Sequence, residues 1–337
     1  MPEHTGQSLP PHGSEAWPRG RPLITVAICT RNRSALLGEA VRSVLPQLDD
    51  QSEVLIVENA STDDTPAVTA ALAAQYSGVR VWRENELGLS VARNTALRQA
   101  RGDYVIFLDD DATVRPGWLA AYRQFFSAPP SPRAVVAGGG VVPRFEANPP
   151  FWFPIEAHTY AFSSSSRPYP PESGPWGGNS GLHRDTILAL GGFSTALGRK
   201  GSGLGAHEET ELYQRVHRAG LEIWWLTDAV IDHFVPANRV TLAFLCRSQF
   251  ATGRSAANIR LSQMAEARGR SCFRLGRVLL APFHCALNLI LAVTALPFRR
   301  CQLTVGALLR AARTAGFAWE LVALRPPRAP GAAIRRA

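Results

Sequence analysis

The sequence predicts an α/β protein built on a mainly parallel sheet with helices on both faces. Two observations carry this prediction. Over the first 115 residues, strand-like apolar runs alternate with amphipathic helices in units of roughly 30 residues, the pattern of a parallel sheet. These runs are continuously hydrophobic rather than alternating, as strands buried on both faces are.

The first two units each combine a strand, a polar loop and a helix. LITVAIC, Leu23–Cys29, is a β-branched run typical of a buried strand, and the helical stripe of SALLGEAVRSVL follows with Ser34 as its expected N-cap. EVLIVE, Glu53–Glu58, is the second predicted strand. Thr65 is expected to cap the next helix, whose first position is then Pro66.

Later elements follow from the same patterns. We predict a strand near Val79–Trp82, a helix over Ser90–Ala100, and a strand in VIFLDDDATV that ends at three aspartates. Beyond Pro116 the sequence predicts a helix in WLAAYRQFF, a strand in AVVAGGGVV, a strand and helix in GGNSGLHRDTILALGGF, and a helix in ETELYQRVHRAG that stops at Gly220.

Charge divides the chain unevenly. The net charge is +9, yet the segment from Thr241 onward carries fifteen arginines against two glutamates, so the preceding 240 residues are net acidic. The five cysteines form no CxxC pair, which favours reduced thiols in a cytosolic protein. We expect residues 1–22 to be disordered, because prolines interrupt them and no signal-peptide pattern is present.

Polar residues follow the predicted strands where each one ends. In open parallel sheets such strand ends line the ligand site. Three adjacent aspartates, Asp109–Asp111, repel one another unless a positive partner is present. A divalent cation shared with substrate phosphates would supply that charge, whereas a solvated turn is the alternative that these three residues alone leave open.

Six blocks in order extend the pattern: ITVAICTRNR, IVENASTDDT, ENELGLSVARNTAL, YVIFLDDDA, GGNSGLHRD and HEETEL. Together they resemble glycosyltransferase family 2 over roughly 23–254. The resemblance implies a Rossmann-like GT-A fold that binds a nucleotide-diphosphate sugar and uses Mg²⁺ or Mn²⁺. It also implies a division into a catalytic domain over 23–240, with a nucleotide-sugar half over 23–115 and an acceptor half over 116–240, and a helical region over 241–337.

The resemblance assigns the donor side residue by residue. Asp109 and Asp110 would face the nucleoside and ribose, and Asp111 would ligate the metal, with Asp109 and His233 as further candidate ligands. The nucleotide would also contact the residues at the ends of the first strands and in the ARN sequence: Thr30, Asn32, Glu58, Arg93 and Asn94. Glu58 stands where the family usually has an aspartate that reads the base.

The acceptor hydroxyl must lose its proton as it attacks the anomeric carbon, so a carboxylate base is needed. Glu209 occupies the family's base position, with Glu208 as the second choice, although acidic residues also stabilise a first helical turn without any catalytic role. Gly178, Asn179 and Trp176 match the acceptor-side turn, where Trp176 would stack on a sugar or else belong to the core. Glycines 198–205 suit a mobile lid or a plain flexible loop.

The basic tail contains a long apolar run, Val278–Phe298, with arginines on both sides. Its length approaches the roughly 20 residues of a membrane span, but His284, Asn288 and two prolines interrupt it. Three alternatives stay open: a span, an interfacial amphipathic helix, and a helical hairpin packed on the catalytic domain. Basic residues favour an anionic cytoplasmic leaflet, and no recognition module supports nucleic acid as a partner.

The sequence therefore predicts a metal-dependent, inverting glycosyltransferase at the cytoplasmic membrane, using a nucleotide-diphosphate sugar, most simply UDP-linked. Its acceptor would be a surface glycan, a lipid-linked glycan or another hydroxyl compound. CRSQFATGRS lacks the Gln-x-x-Arg-Trp motif of processive synthases, so we predict single additions. The competing hypotheses are a catalytically silent binding module anchored at the membrane and a sugar-nucleotide pyrophosphorylase, which would need a different first loop and essential lysines.

Overall fold

A computed structural model describes residues 24–155, 158–161, 163–171, 173–201, 203–263, 267–295 and 301–323. The predicted disorder of residues 1–22 lies outside this part of the chain, as do Leu23, Pro297 and Phe298. The strands are β1 Ile24–Thr30, β2 Ser52–Asn59, β3 Val79–Glu84, β4 Tyr104–Leu108, β5 Ala112–Val114, β6 Ala134–Phe145, β7 Arg167–Pro168, β8 Asn179–His183 and β9 Glu222–Val235. The helices are α1 Ser34–Val44, α2 Thr65–Gln75, α3 Leu89–Gln99, α4 Trp118–Ser127, α5 Arg184–Ala189, α6 Glu208–Arg218, α7 Leu242–Gln263, α8 Ala267–Ala295 and α9 Cys301–Val322.

The first half of the sheet is parallel, as predicted. Strands β3, β2, β1 and β4 are adjacent in that order, and each neighbouring pair runs in the same direction. Every residue of β2 is buried, as is nearly every residue of β1, because helices cover both faces. The continuous hydrophobicity of these runs is thereby accounted for.

The second half of the sheet is mixed. Strand β8 pairs antiparallel with both β4 and β6, whereas β9 pairs parallel with β6 and antiparallel with β5 and β7. The expectation of a mainly parallel sheet thus holds for the nucleotide half and not for the rest, because β8 reverses the strand direction. The predicted α/β class with covered faces is confirmed.

Two apolar clusters lie on opposite faces of the sheet. One packs α1 and α4, with Leu37 and Trp118 fully buried, against β1, β2 and β4. The other packs α3 and α6, including Leu97 and Leu212, against the reverse face. The sheet is therefore held rigidly between helices, which fixes the positions of the residues at its strand ends.

Two helix starts differ from prediction. Ser34 and Thr65 are the first helical residues rather than N-caps, and Arg33 and Asp64 precede them. The Thr65 hydroxyl instead accepts a hydrogen bond of 2.9 Å from the Arg33 backbone N–H. That bond ties the loop after β1 to the start of α2, beside the strand ends.

The C-terminal helices pack on one another and on the catalytic domain. α9 runs antiparallel to α8, with Thr304 Oγ1 donating to Ala292 O at 3.3 Å and Cys285 Sγ lying 3.6 Å from Ala311 O. Within α8, residues Gly276–Val293 are long and apolar enough to cross a membrane by length and composition, and 11% of them are buried. Cys29, Cys246 and Cys285 are free thiols, as expected; the side chains of Cys272 and Cys301 lie outside the described part.

Candidate active site

A cleft of about 650 Å³ opens where the carboxyl ends of β1, β2 and β4 meet. Thr30 and Asn59 line it from the first two strands, and Asp109–Asp111 line it from the loop between β4 and β5. This is the position at which open α/β sheets hold their ligands. The strand-end polar residues thus gather along one edge, as the alternating pattern predicts.

Asp110 is held between the end of β1 and the loop that follows it. Its Oδ2 accepts a hydrogen bond of 2.8 Å from Thr30 Oγ1, and Arg33 Nε lies 3.8 Å from Oδ1. Burial, and then the charge of Asp111, raise the pKa of Asp110 to about 7. The hydrogen bond between Thr30 and Asp110 thus joins the ends of β1 and β4 at the cleft.

Asp111 has the strongest cationic surroundings. His233 Nε2 lies 3.1 Å from Oδ1, while guanidinium nitrogens of Arg33 and Arg239 lie 3.6 and 3.5 Å from Oδ2. Burial alone would raise its pKa, but the hydrogen bond and charge of His233, with both arginines, lower the pKa of Asp111 to about 2. Asp111 is therefore ionised throughout the neutral range.

Asp109 is held from three sides. Trp176 Nε1 donates to Oδ2 at 3.2 Å, and Arg93 lies 3.7 Å from Oδ1. Gly178 packs so closely that a Cβ there would lie 2.1 Å from the Asp109 Cγ. Gly178 and Trp176, expected on the acceptor side, thus also position an aspartate, and the Trp176 ring lies 5.3 Å from that of His233, on the cleft wall.

Three of these groups form a candidate metal centre. Asp109, Asp111 and His233 each offer one ligand atom, and the three atoms lie within 4.8 Å of one another. Two carboxylates suit Mg²⁺ or Mn²⁺, and the imidazole tilts the set toward a transition metal such as Mn²⁺. The residues present therefore fit the divalent cation that the resemblance implies.

Arg93 and Glu208 form an ion pair inside the protein. Arg93 NH1 lies 2.9 Å from Glu208 Oε1, and both side chains are almost fully buried. Burial raises the pKa of Glu208 to about 7, and the charge of Glu209 adds to this effect. The charge of Arg93 opposes both. Burial lowers the pKa of Arg93, but Glu208, Asp109 and Glu209 outweigh it and raise that pKa above its ordinary value.

Glu209 differs from its neighbour on α6. It lines the cleft and is half-buried. Throughout the described part of the chain its carboxylate has neither a hydrogen bond nor an ion pair. A carboxylate that faces the cleft and has no partner is in a suitable position to accept a proton from a bound hydroxyl.

Asn32 and Glu58 shape the first loops and do not line the cleft. Asn32, at φ +53°, exchanges hydrogen bonds with Thr62 of the next loop. Glu58 is 1% exposed; its Oε1 accepts from the Ser61 N–H at 2.6 Å, and Arg83 lies 3.5 Å from Oε2. Both residues connect the loops that surround the expected nucleotide site.

Two asparagines expected to contact ligands are instead enclosed. The Asn94 amide donates to Phe193 O at 2.8 Å and accepts from the Phe193 N–H at 2.7 Å. Asn179 is fully buried, and its amide binds Trp118 Nε1 and backbone carbonyls on neighbouring strands. These hydrogen bonds direct both side chains into the framework behind the cleft, where they hold its walls together.

Sequence reasoning placed Arg33 at the strand-end edge without giving it a role, and it missed Arg239. Both line the cleft beside Asp111, and Arg199 from the glycine-rich loop joins them. Burial lowers the pKa of Arg239. The charge of Asp111 opposes this shift, whereas the charges of Arg199 and Arg33 add to it. Three arginines lining one cleft could hold an anion, and no pattern in the sequence indicates that they come together.

The glycine-rich loop lies between α3 and α7. The Leu89 N–H donates to Arg199 O at 2.9 Å on one side, and the Ala206 N–H lies 3.3 Å from Ser255 Oγ on the other. Phe244 and Ser248 of α7 also line the cleft. The C-terminal helices therefore contribute directly to the candidate active site.

Comparisons with known proteins agree with this geometry. Residues 25–190 match the model of glycosyl transferase family 2. The glucosyl-dolichyl phosphate glucuronosyltransferase of Haloferax volcanii is 27% identical, with 69% of this chain and 75% of that protein covered. The succinoglycan biosynthesis protein ExoM of Rhizobium meliloti is 28% identical, with 69% and 73% covered.

Among solved structures, the mannosyltransferase PcManGT from Pyrobaculum calidifontis, in complex with GDP-Man and Mn²⁺, has a similar fold. Its TM-score is 0.58 at 21% identity, with 88% of this chain and 87% of that one covered. The fold is therefore of the GT-A type, and the strand-end cleft is in the expected place. The family match and the curated relatives therefore identify residues 25–190 as a glycosyltransferase family 2 domain and the protein as a glycosyltransferase.

Proposed function

We propose that the protein is a metal-dependent, inverting glycosyltransferase that adds single sugars from a nucleoside-diphosphate sugar to a hydroxyl acceptor. One observation carries this proposal. The cluster of Asp109, Asp111 and His233 shares a cleft with Glu209, whose carboxylate has no partner in the described chain. A cation site and a proton acceptor are the two functions that this transfer requires.

Glu209 would accept the proton of the acceptor hydroxyl. As the proton leaves, the hydroxyl oxygen forms a bond to the anomeric carbon, and the bond from that carbon to the diphosphate oxygen breaks with its electron pair. A single displacement of this kind inverts the anomeric configuration. A bound divalent cation would supply positive charge against the departing diphosphate.

Arg33 and Arg239 would stabilise the same diphosphate. Their guanidinium nitrogens lie 3.6 and 3.5 Å from Asp111 Oδ2. If Asp111 binds a cation, its charge is neutralised, and the two guanidiniums become available for phosphate oxygens, which they bind in a planar, often bidentate way. Uridine is the base to test first, and GDP sugars are the alternative donors.

The acceptor proposed is lipid-linked or a surface glycan, and the enzyme is placed at the cytoplasmic face of a membrane. Two observations support this. One curated relative is named for a dolichyl phosphate substrate and another for succinoglycan biosynthesis. The chain also carries the long apolar helix α8 and an arginine-rich C-terminal region.

The test is a panel of UDP and GDP sugars with Mn²⁺, measuring release of nucleoside diphosphate. Asp111→Asn should reduce turnover by about two orders of magnitude or more while the protein remains folded, although its melting temperature should fall because His233, Arg33 and Arg239 lose their anionic partner. The matched control is Asp185→Asn, since Asp185 is exposed, pairs with the neighbouring Arg184 and does not line the cleft. Nucleotide binding without turnover of any donor would overturn the proposal and favour a silent binding module.

A further inference from the structure

Four large apolar side chains form an exposed stripe on α8. Leu279, Phe283, Leu287 and Ile290 are 60%, 74%, 56% and 58% exposed. Their spacing of four, four and three residues places them on one face of the helix. Exposed contiguous apolar surface of this kind marks a binding surface rather than ordinary protein exterior.

The stripe points away from the rest of the described protein. Ala281 and Ala292, on the opposite face of α8, are buried against α9. Cys285 also lies on that face, 3.6 Å from Ala311 O. The packing of the helical hairpin is therefore complete without the stripe, and the hairpin alternative drawn from the sequence accounts for only one side of α8.

Polar groups lie beside the apolar window as well as at its ends. Exposed Arg310 of α9 donates to Asn288 Oδ1 at 3.0 Å, opposite the interior of the window. A helix pair spanning the bilayer would carry this guanidinium deep into the hydrocarbon, where charges are strongly disfavoured. His284 is exposed on the same flank of α8. These groups fit a helix lying along the surface, with its polar flank among the headgroups.

We propose that the stripe docks α8 into the interface of an anionic lipid bilayer without crossing it. The apolar window, about 27 Å long at 1.5 Å per residue, then lies in the plane of the membrane. Exposed Arg277 and Arg310 and the arginine-rich tail complement anionic headgroups. The occupant of the stripe is thus the lipid itself.

Docking would also fix the cleft relative to the bilayer. Gly253 and Gly316 allow α7 and α9 to touch along their backbones, and Arg254 Nε lies 2.6 Å from Glu320 Oε2 between the same helices. Since α7 lines the cleft, a docked α8–α9 hairpin would hold the cleft at a fixed height above the membrane. A cleft held at this height favours an acceptor presented at the bilayer surface, such as a lipid-linked glycan. This step rests on the proposed function.

The experiment measures binding of the full chain to vesicles by sedimentation. Vesicles contain equal parts of phosphatidylglycerol and phosphatidylcholine, or phosphatidylcholine alone. The double variant Phe283→Ser, Ile290→Ser should weaken binding to the anionic vesicles at least thirtyfold, because two large apolar side chains no longer leave water. The matched control is Leu289→Ser, Val293→Ser, which changes two other exposed apolar residues, 49% and 63% exposed, on the flank of α8 and should weaken binding less than threefold.

Carbonate extraction distinguishes lying on the membrane from crossing it. Release of the wild-type protein by carbonate is expected, whereas retention would show a span and overturn the proposal. Equal binding to vesicles without phosphatidylglycerol would also overturn it, as would a stripe variant that binds normally. A stripe variant that changes oligomeric state in gel filtration and not vesicle binding would identify a second copy of the chain as the occupant instead.

Donor hydrolysis in solution separates this proposal from the proposed function. Both double variants should hydrolyse the nucleotide sugar at the wild-type rate without vesicles, since neither touches the cleft. Loss of vesicle binding with hydrolysis intact supports docking whatever the acceptor is. Absence of hydrolysis in the wild type itself would count against the glycosyl-transfer assignment and leave the vesicle result standing.

Discussion

Gly178→Ala is the sharpest test of how the aspartates are positioned. A Cβ at Gly178 would lie 2.1 Å from both Cγ and Oδ2 of Asp109. Ordinary carbon contacts are about 3.5–4 Å, so the carboxylate would have to move by roughly 1.4 Å or more. That displacement disturbs its hydrogen bond with Trp176 and its approach to Arg93.

We expect Gly178→Ala to weaken metal binding more than it destabilises the fold. Metal–ligand distances tolerate only about 0.2 Å, and disturbing the groups that orient ligands commonly costs 10–100-fold in metal affinity or activity. The backbone of Gly178 does not adopt a positive φ, so alanine adds no backbone strain there. Overpacking should cost about 1–3 kcal/mol of stability.

The assay is calorimetric titration of Mn²⁺ in the presence of nucleoside diphosphate, together with the Mn²⁺ dependence of turnover. Gly140→Ala is the matched control, because a Cβ at this buried glycine meets nothing closer than 3.4 Å. It should leave metal affinity unchanged. Wild-type Mn²⁺ affinity in the Gly178→Ala protein would refute the assignment of Asp109 as a ligand positioned by this glycine.

Three further predictions follow from the cleft. Glu209→Gln should lower kcat by about 10²–10⁴-fold with little change in donor KM, and an unaltered kcat in steady-state assays would exclude it as the base. Burial raises the pKa of the Cys29 thiol to about 12, so iodoacetamide should modify it at least about a hundredfold more slowly in the native than in the urea-unfolded chain by mass spectrometry. The pKa of Glu208 is raised to about 7, above its unfolded value, so its contribution to stability is fully present below about pH 4 and is lost as pH rises through 7. Denaturant titrations should therefore show the free energy of unfolding of the wild type, relative to Glu208→Gln, falling by up to ~3 kcal/mol over that range, and a difference independent of pH would contradict the pKa.

The nucleotide half of the fold was predictable because its signals are local. β1 and β2 are continuous apolar runs, and the stripes of the helices between them have a period that only a helix satisfies. The acceptor half depends on long-range pairing. β9 received no prediction, since its burial alternates only in part and its longest partner, β6, lies some 90 residues earlier in the chain. Hydrophobic periodicity also does not indicate in which direction the strands after β4 run.

The metal cluster shows the same limit at the level of single residues. Asp111 and His233 were both candidates, yet nothing local in the sequence indicates that they meet. The antiparallel register of β5 on β9 places Ala112 opposite His233, and this pairing brings the imidazole to Asp111. Arg239 arrives by the same route, a few residues after β9 ends. Residue types could be predicted, whereas their convergence required the sheet.

Glu208 and Glu209 show why adjacent residues of one type can divide two tasks. Successive residues on a helix project about 100° apart, so only one of the pair can face inward. Glu208 takes the inward position and neutralises Arg93, which in turn approaches Asp109. Glu209 is left on the cleft side without a partner. A change at Glu208 should therefore act through the arginine and the aspartate, on the donor side, whereas a change at Glu209 should act on the proton. Because Glu208 already pairs with Arg93, we propose Glu209 rather than Glu208 as the base.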